Sequence, residues 1–222
     1  MKALLLVFLF FISHLSFATS HLEVTEEAFD AIRKGDIEIV RDLVSKGLDP
    51  NYLLGKPGNV MRLAAFYKRP EILSYLISVG GNVDHEVDGR MHFISFVASR
   101  EQFELLKVVV NEEADLNKLI YFDQYTIFIS LLRKIDVQGL EYILDVSSVD
   151  VNFRPDNGFS PLYHLYERGS CGLKCLKILL ENCANPNLEI GKDALSFKEH
   201  VAHKRDQEAL NLINGTKCKK ER

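Results

Sequence analysis

The chain has 222 residues with 27 basic and 31 acidic side chains, for a formal net charge of −4 at pH 7. Both signs are spread along it without the basic excess that a duplex binder carries, so nucleic acid is not an expected partner. No GxSxG elbow, P-loop, GxGxxG or HExxH string occurs. The sequence therefore predicts no catalytic, cofactor-binding or metal-ligating residues, and a hydrolase stands only as a remote alternative.

Met1-Lys2 opens the chain, followed by an apolar run from Ala3 to Ile12 and then Ser13-His14-Leu15-Ser16-Phe17-Ala18. One basic residue in front, an apolar segment far short of the ~20 residues of a spanning helix, and small residues at Ser16 and Ala18 read as a secretory signal peptide over 1–18. Cleavage after Ala18 is expected, with an uncleaved anchor as the alternative. No membrane insertion is expected after cleavage, and the unbound chain is expected to be a monomer.

Beyond the leader, one short phrase recurs five times: Asp49-Pro50-Asn51, Asn82-Val83-Asp84, Asp115-Leu116-Asn117, Asp150-Val151-Asn152 and Asn185-Pro186-Asn187. Its third residues are spaced 33, 33, 35 and 35 positions apart, the period of a stacked-repeat protein. Each interval holds a polar turn, a short apolar segment, a basic or polar break and a second apolar segment, which predicts two helices per repeat. In the first repeat Ile37, Val40, Leu43 and Val44 fall on one helical face, and Gly47 stands where a left-handed C-cap is wanted.

Gly35-Asp36-Ile37-Glu38-Ile39-Val40 through Gly47-Leu48-Asp49-Pro50-Asn51 resembles the second half of an ankyrin repeat, and Asp156-Asn157-Gly158-Phe159-Ser160-Pro161-Leu162-Tyr163 resembles its opening. The resemblance covers nearly all of the chain beyond the leader. It implies an all-α ankyrin-repeat solenoid of five to six helix-turn-helix units with short finger turns, spanning 19–216. Units are expected over 23–53, 54–86, 87–119, 120–154 and 155–189, with a capping unit over 190–214 whose outer face is polar, as an end unit needs. Thr25 is expected to cap the first helix. The third and fourth units carry Val97-Ala98 and Leu131-Leu132 in place of the small pair Ala64-Ala65, so their inner helices are expected to sit farther from their neighbours. The fifth carries about two extra residues around Gly169-Ser170-Cys171-Gly172.

Cys171, Cys175, Cys183 and Cys218 lie in the last third without a CxxC pair or zinc-finger spacing. Cys171 and Cys175 are four apart and can share a helical face, yet Cys175 fills an apolar repeat position, and an unpaired core thiol is the favoured reading. The basic tail over 217–222 reads as a solvated, frayed end. His200 and His203 read as part of a solvated capping helix. By the resemblance, His92 and His164 are expected to tie successive turns together. Asn214-Gly215-Thr216 fits a glycosylation acceptor, although Gly215 is also a plain helix stop.

What remains is surface. A basic residue or pair recurs at each break between helices: Arg33-Lys34, Lys68-Arg69, Arg100, Arg133-Lys134, Arg168 and Lys204-Arg205. Two readings stay open: cations at the negative ends of inner helices, or a stripe facing an acidic partner across a concave groove. In the turns, Leu54, Phe122 and Phe153 are expected to pack inward and Tyr121, Tyr125 and Phe159 to stay exposed. Aromatic residues beside arginine are the composition of binding hot spots. The candidate protein-binding residues are Phe66, Tyr67, Arg90, Ser99, Arg100, Tyr121, Tyr125, Arg133, Arg154, Phe159 and Arg168, with Glu167 among the inner-helix positions that flank them.

By resemblance and by its leader, the chain is expected to be an exported protein-binding scaffold, periplasmic in a bacterium or secreted as the alternative. The expected partner is another protein, a toxin or secreted enzyme with an acidic surface that the scaffold would restrain as an inhibitor or immunity-type protein. The alternative is a secreted effector that binds host proteins.

Overall fold

The computed structural model describes residues 26–52, 59–87, 91–111, 114–120, 125–191 and 195–219. The expected leader, Thr25, Leu53, Leu54, Arg90, Tyr121 and Phe122 lie outside them. The chain divides into two compact parts, residues 1–82 and 83–222, and each is described by itself.

The first part contains a helix over 26–34 (α1), then α2 (Ile37–Ser45), α3 (Val60–Phe66) and α4 (Pro70–Ser78). Asp36 and Asn59 start α2 and α3 by accepting the amides of Ile39 and Arg62, each satisfying a donor with no partner inside its own helix. Pro70 opens α4, where its missing N–H is no loss. The helix α4 packs against α3 and α2. Ile32, Val40, Leu43, Met61, Leu63, Ile72, Leu73 and Leu76 fill the interior. Each such fully buried side chain contributes roughly 1.5–3 kcal/mol.

The second part repeats the pattern four times. Its inner helices are α5 (Phe93–Ala98), α7 (Ile127–Leu131), α9 (Pro161–Arg168) and α11 (Phe197–His203). Its outer helices are α6 (Phe103–Val109), α8 (Val137–Val146), α10 (Gly172–Glu181) and α12 (Gln207–Gly215). Inner helices α5, α7 and α9 pack in sequence, as do outer helices α6, α8, α10 and α12, which makes two layers. Two-residue antiparallel hairpins precede three inner helices: β1 (Glu86–Val87) with β2 (Met91–His92), β3 (Leu119–Ile120) with β4 (Tyr125–Thr126), and β5 (Glu189–Ile190) with β6 (Leu195–Ser196).

Each inner helix of this part starts on a side-chain cap: the amides of Ile94, Ile129, Tyr163 and Glu199 donate to His92 Nδ1, Thr126, Ser160 and Ser196. Ser196 and Glu199 complete a reciprocal capping box. His92, in a threonine's place, thus caps its own helix, and its Nε2 lies 3.5 Å from Asp84 in the preceding turn.

The recurring triplet now has a mechanism. Its first residue closes a local turn: Asp49, Asp115, Asp150 and Asn185 each accept the amide two residues on, at 2.8 to 3.1 Å. Its third residue reaches the following repeat. Asn51 accepts from Asn82 N–H, Asn117 from Asp150 N–H, and Asn152 from Asn185 N–H. Asn51 and Asn152 also donate to the carbonyls of Gly80 and Cys183 just past the next outer helix.

Three expectations fail at this level. The inner helices α5 and α7 are not held apart, because Ser95 and Ser130 provide small residues on facing turns and their hydroxyls meet at 2.5 Å. The cysteines pair, Cys171 with Cys175 and Cys183 with Cys218. The insertion in the fifth repeat brings Cys171 to the start of α10, where it bonds the buried Cys175, and Ser170 donates to the Ile135 carbonyl of the repeat before. Cys218 fastens the tail beside the end of α10, where Lys219 donates to the Glu181 carbonyl and pairs with its carboxylate at 2.8 Å. Cys218 and Lys219 are thus tied down rather than frayed.

Candidate functional site

The end of each inner helix decides where its cations point. Three of these helices end with a non-glycine residue in the left-handed region: Lys68, Glu101 and Arg205 at φ 57°, 53° and 57°. In the first part, Arg69 donates to the Arg33 carbonyl at 2.6 Å, and both Arg33 and Lys34 pair with Asp30. Arg69 thus ties two repeats together, while Arg33 and Lys34 pair within their own helix. Beside them Phe66 is 52% exposed, edge-on to Tyr67, which in turn packs on Phe29.

In the second part the basic residues divide in two. Arg100 lies over the Phe96 ring at 4.9 Å and donates to Ser99, whose hydroxyl donates to the Phe96 carbonyl. Arg154 donates to the Gly158 carbonyl within its own finger. Lys204 donates to Glu167 at 2.5 Å and sits over the Tyr166 ring. Arg133 and Arg168, at the ends of neighbouring inner helices α7 and α9, are exposed and make no hydrogen bond or ion pair among the described residues.

Between those arginines and the hairpins lies a cluster of rings. Tyr125 packs on His164 with centroids 5.2 Å apart, Phe159 stacks on Tyr163 at 4.5 Å, and Tyr163 meets His200 at 5.4 Å. Tyr125 and Phe159, expected to be exposed, are half-buried because each has the α9 rings for a neighbour. Gly158 permits this close approach: at φ +75° it faces the Gly191 carbonyl of the next finger, where a Cβ would come within 2.6 Å.

His164 does not tie turns together as expected. It is 4% exposed, and its Nε2 has no hydrogen-bond partner among the described residues. Burial, helped by the charges of Arg168 and Arg133, pushes its pKa down to about 4, so the ring is neutral at pH 7. Burial likewise takes His92 down to about 4, with Asp84 opposing and Lys118 assisting.

Next to the rings, Glu167 is held by His200 at 2.8 Å and by Lys204. Burial alone would raise this carboxyl, but the two hydrogen bonds and their charges outweigh it and keep the group below its ordinary range. Tyr166 donates to Asp206 at 3.1 Å, and burial together with that bond raises its pKa to about 12. Among the described residues no group of three His, Cys, Asp or Glu side chains is placed to hold a metal ion.

The structure thus brings Tyr125, Arg133, Phe159 and Arg168 to one face, with Ser99 and Arg100 on a neighbouring inner helix. Arg154 is committed to its own turn, and Arg90 and Tyr121 lie outside the described residues. Tyr163 and His200 belong to the cluster but were not predicted. Their signal is positional: they lie three and four residues after the caps Ser160 and Ser196. A second groove of about 1130 Å³ opens at the starts of the outer helices, lined by Gln102, Phe103, Ile135 and Cys171 among others. Its charges are mixed, with Glu101, Asp136 and Glu141 facing Lys134 and Lys174.

Paired short inner and outer helices, joined by hairpin fingers and laced by an Asn ladder, make this the ankyrin-repeat fold. Solved structures agree. The chain matches an ankyrin repeat domain from Acinetobacter baumannii AYE with a TM-score of 0.70 at 19% identity, over 86% of this chain and 98% of that one. It matches the ankyrin repeat domain of Bcl-3, a member of the IkappaB protein family, with a TM-score of 0.72 at 19% identity, over 86% of each chain. In sequence it is similar to YahD of Escherichia coli (strain K12), an ankyrin repeat protein by its name, at 22% identity over 172 residues, 75% of this chain and 85% of YahD. No protein-family model matches the chain.

Proposed function

We propose that this protein is an exported scaffold that binds another protein through the inner-helix face of residues 83–222 and restrains it, as a periplasmic inhibitor or immunity-type protein would. The observation that carries the reading is the pair Arg133 and Arg168, exposed and without ion pairs among the described residues, beside a preformed cluster of aromatic rings. Exposed cations steer an acidic partner, and rings already packed lose little entropy on docking. The leader-like start supports export, as do the two disulfides, which suit an oxidising compartment.

The test is capture from periplasmic extract by the native chain and by the Arg133→Glu/Arg168→Glu variant, followed by photo-crosslinking of the captured partner from position 163. Crosslinking that the variant loses supports the reading. Equal capture by both proteins contradicts it.

A further inference from the structure

Resting on that reading, the geometry allows the partner's contact to be specified. We propose that Arg133 and Arg168 clamp the carboxylate of an aspartate or glutamate on the partner protein, while Tyr125 and Phe159 receive an aromatic or large apolar side chain three or four positions away from it.

Three observations converge. Arg133 and Arg168 end adjacent inner helices, which pack roughly 8–10 Å apart. Guanidiniums carried on long side chains from helix ends that pack this closely can converge on one carboxylate, each offering the fork of donors that matches it. On the flanking inner helices α5 and α11 the cations nearest this face are engaged, Arg100 with Phe96 and Lys204 with Glu167.

The ring cluster fixes the second half of the contact. Tyr125 precedes the cap of α7 and Arg133 follows its last turn, eight positions on. The five residues of α7 contribute about 7.5 Å at ~1.5 Å of rise each, and the extended and turn positions on either side bring the span to roughly 10–13 Å. An extended partner strand covers that distance in three to four residues at about 3.3 Å each. The buried ring of His164 packs against both Tyr125 and Phe159 and fixes their positions, so the pocket between them is formed before a partner arrives.

The experiment is an NMR titration of the full, isotope-labelled chain at low salt with capped hexapeptides carrying phenylalanine, two serines and aspartate in that order. Controls replace the aspartate by asparagine, place it next to the phenylalanine, or use inorganic phosphate alone. The expected result is movement of the Tyr125, Phe159 and His164 signals and of the Arg133 and Arg168 side chains. Affinity should fall about tenfold with the asparagine peptide and about tenfold for Arg133→Gln or Arg168→Gln. Equal binding of the aspartate and asparagine peptides, phosphate binding as tight as the peptide's, shifts confined elsewhere, or no shift at millimolar peptide would each overturn the assignment. If the captured partner still crosslinks to this face in that event, the proposed function stands and only the acid-and-ring anchor falls. Crosslinking elsewhere removes both.

Discussion

The side-chain oxygen of Asn152 accepts a hydrogen bond from the backbone amide of Asn185 at 2.7 Å, joining residues 33 positions apart in the chain. Its amide nitrogen meanwhile donates to the Cys183 carbonyl at 3.0 Å, so a single side chain stitches one turn to the next. Asn152→Ala removes both bonds and is expected to lower stability by about 1–2 kcal/mol. Urea denaturation at neutral pH measures this. An unchanged midpoint would mean that the ladder is a consequence of stacking and contributes nothing to it.

Glu101 holds φ 53° where the chain turns from α5 into α6. A left-handed conformation costs an ordinary residue roughly 1–2 kcal/mol, and glycine relieves this while giving back some chain entropy in the unfolded state. Glu101→Gly is therefore expected to raise stability by about 0.5–1 kcal/mol. Differential scanning calorimetry would show the gain, and a lower melting temperature would refute it.

Acid should weaken the fold through its two buried histidines. Both His92 and His164 have folded pKa values of about 4, below the ordinary 6.5. Between these values the unfolded chain binds protons that the folded chain refuses. The stabilisation is thus full above pH 6.5 and is lost as pH falls toward 4, by up to about 2–3 kcal/mol for each ring. Leu63 occupies the equivalent position in the second repeat, four residues after its cap, so His164→Leu keeps the packing and removes one titrating group. Urea midpoints on either side of the window should show this variant losing about half of the histidine-linked acid sensitivity. A wild-type slope in the variant would contradict the assignment.

The disulfides should contribute unequally. Cys183 and Cys218 close 35 residues, whereas Cys171 and Cys175 close only four. In the chain-entropy account the long loop is worth about 3–4 kcal/mol and the short one about 2. Cys218→Ser is expected to release the tail from Glu181 and to lower the urea midpoint accordingly. Hydrogen exchange at the end of α12 provides a second readout.

The sequence made the fold legible because its period is carried by turns, whose Asp and Asn side chains have few other uses. The candidate site was half legible. Basic residues recur at every helix break, but composition cannot say which of them find a partner: Arg69 is spent on the Arg33 carbonyl and Lys204 on Glu167, neighbours that exist only once repeats stack. The role of Ser95 and Ser130 was hidden in the same way, since each helix carries one small residue nearer its cap in place of a small pair. Cysteine pairing was out of reach for a different reason. Spacing of four on a helix suits both a bond and a core thiol, and the contact of Cys218 with α10 depends on where the tail folds back.

The central claim rests on two arginines, and the most direct measurement is the partner's dissociation constant for the native chain against Arg133→Glu/Arg168→Glu, with melting temperatures recorded alongside. Because neither arginine makes an ion pair or hydrogen bond among the described residues, the account predicts a loss of at least about a hundredfold in affinity, about 2.8 kcal/mol, with melting nearly unchanged. Undiminished affinity in a folded variant would show that this face is not where the partner binds.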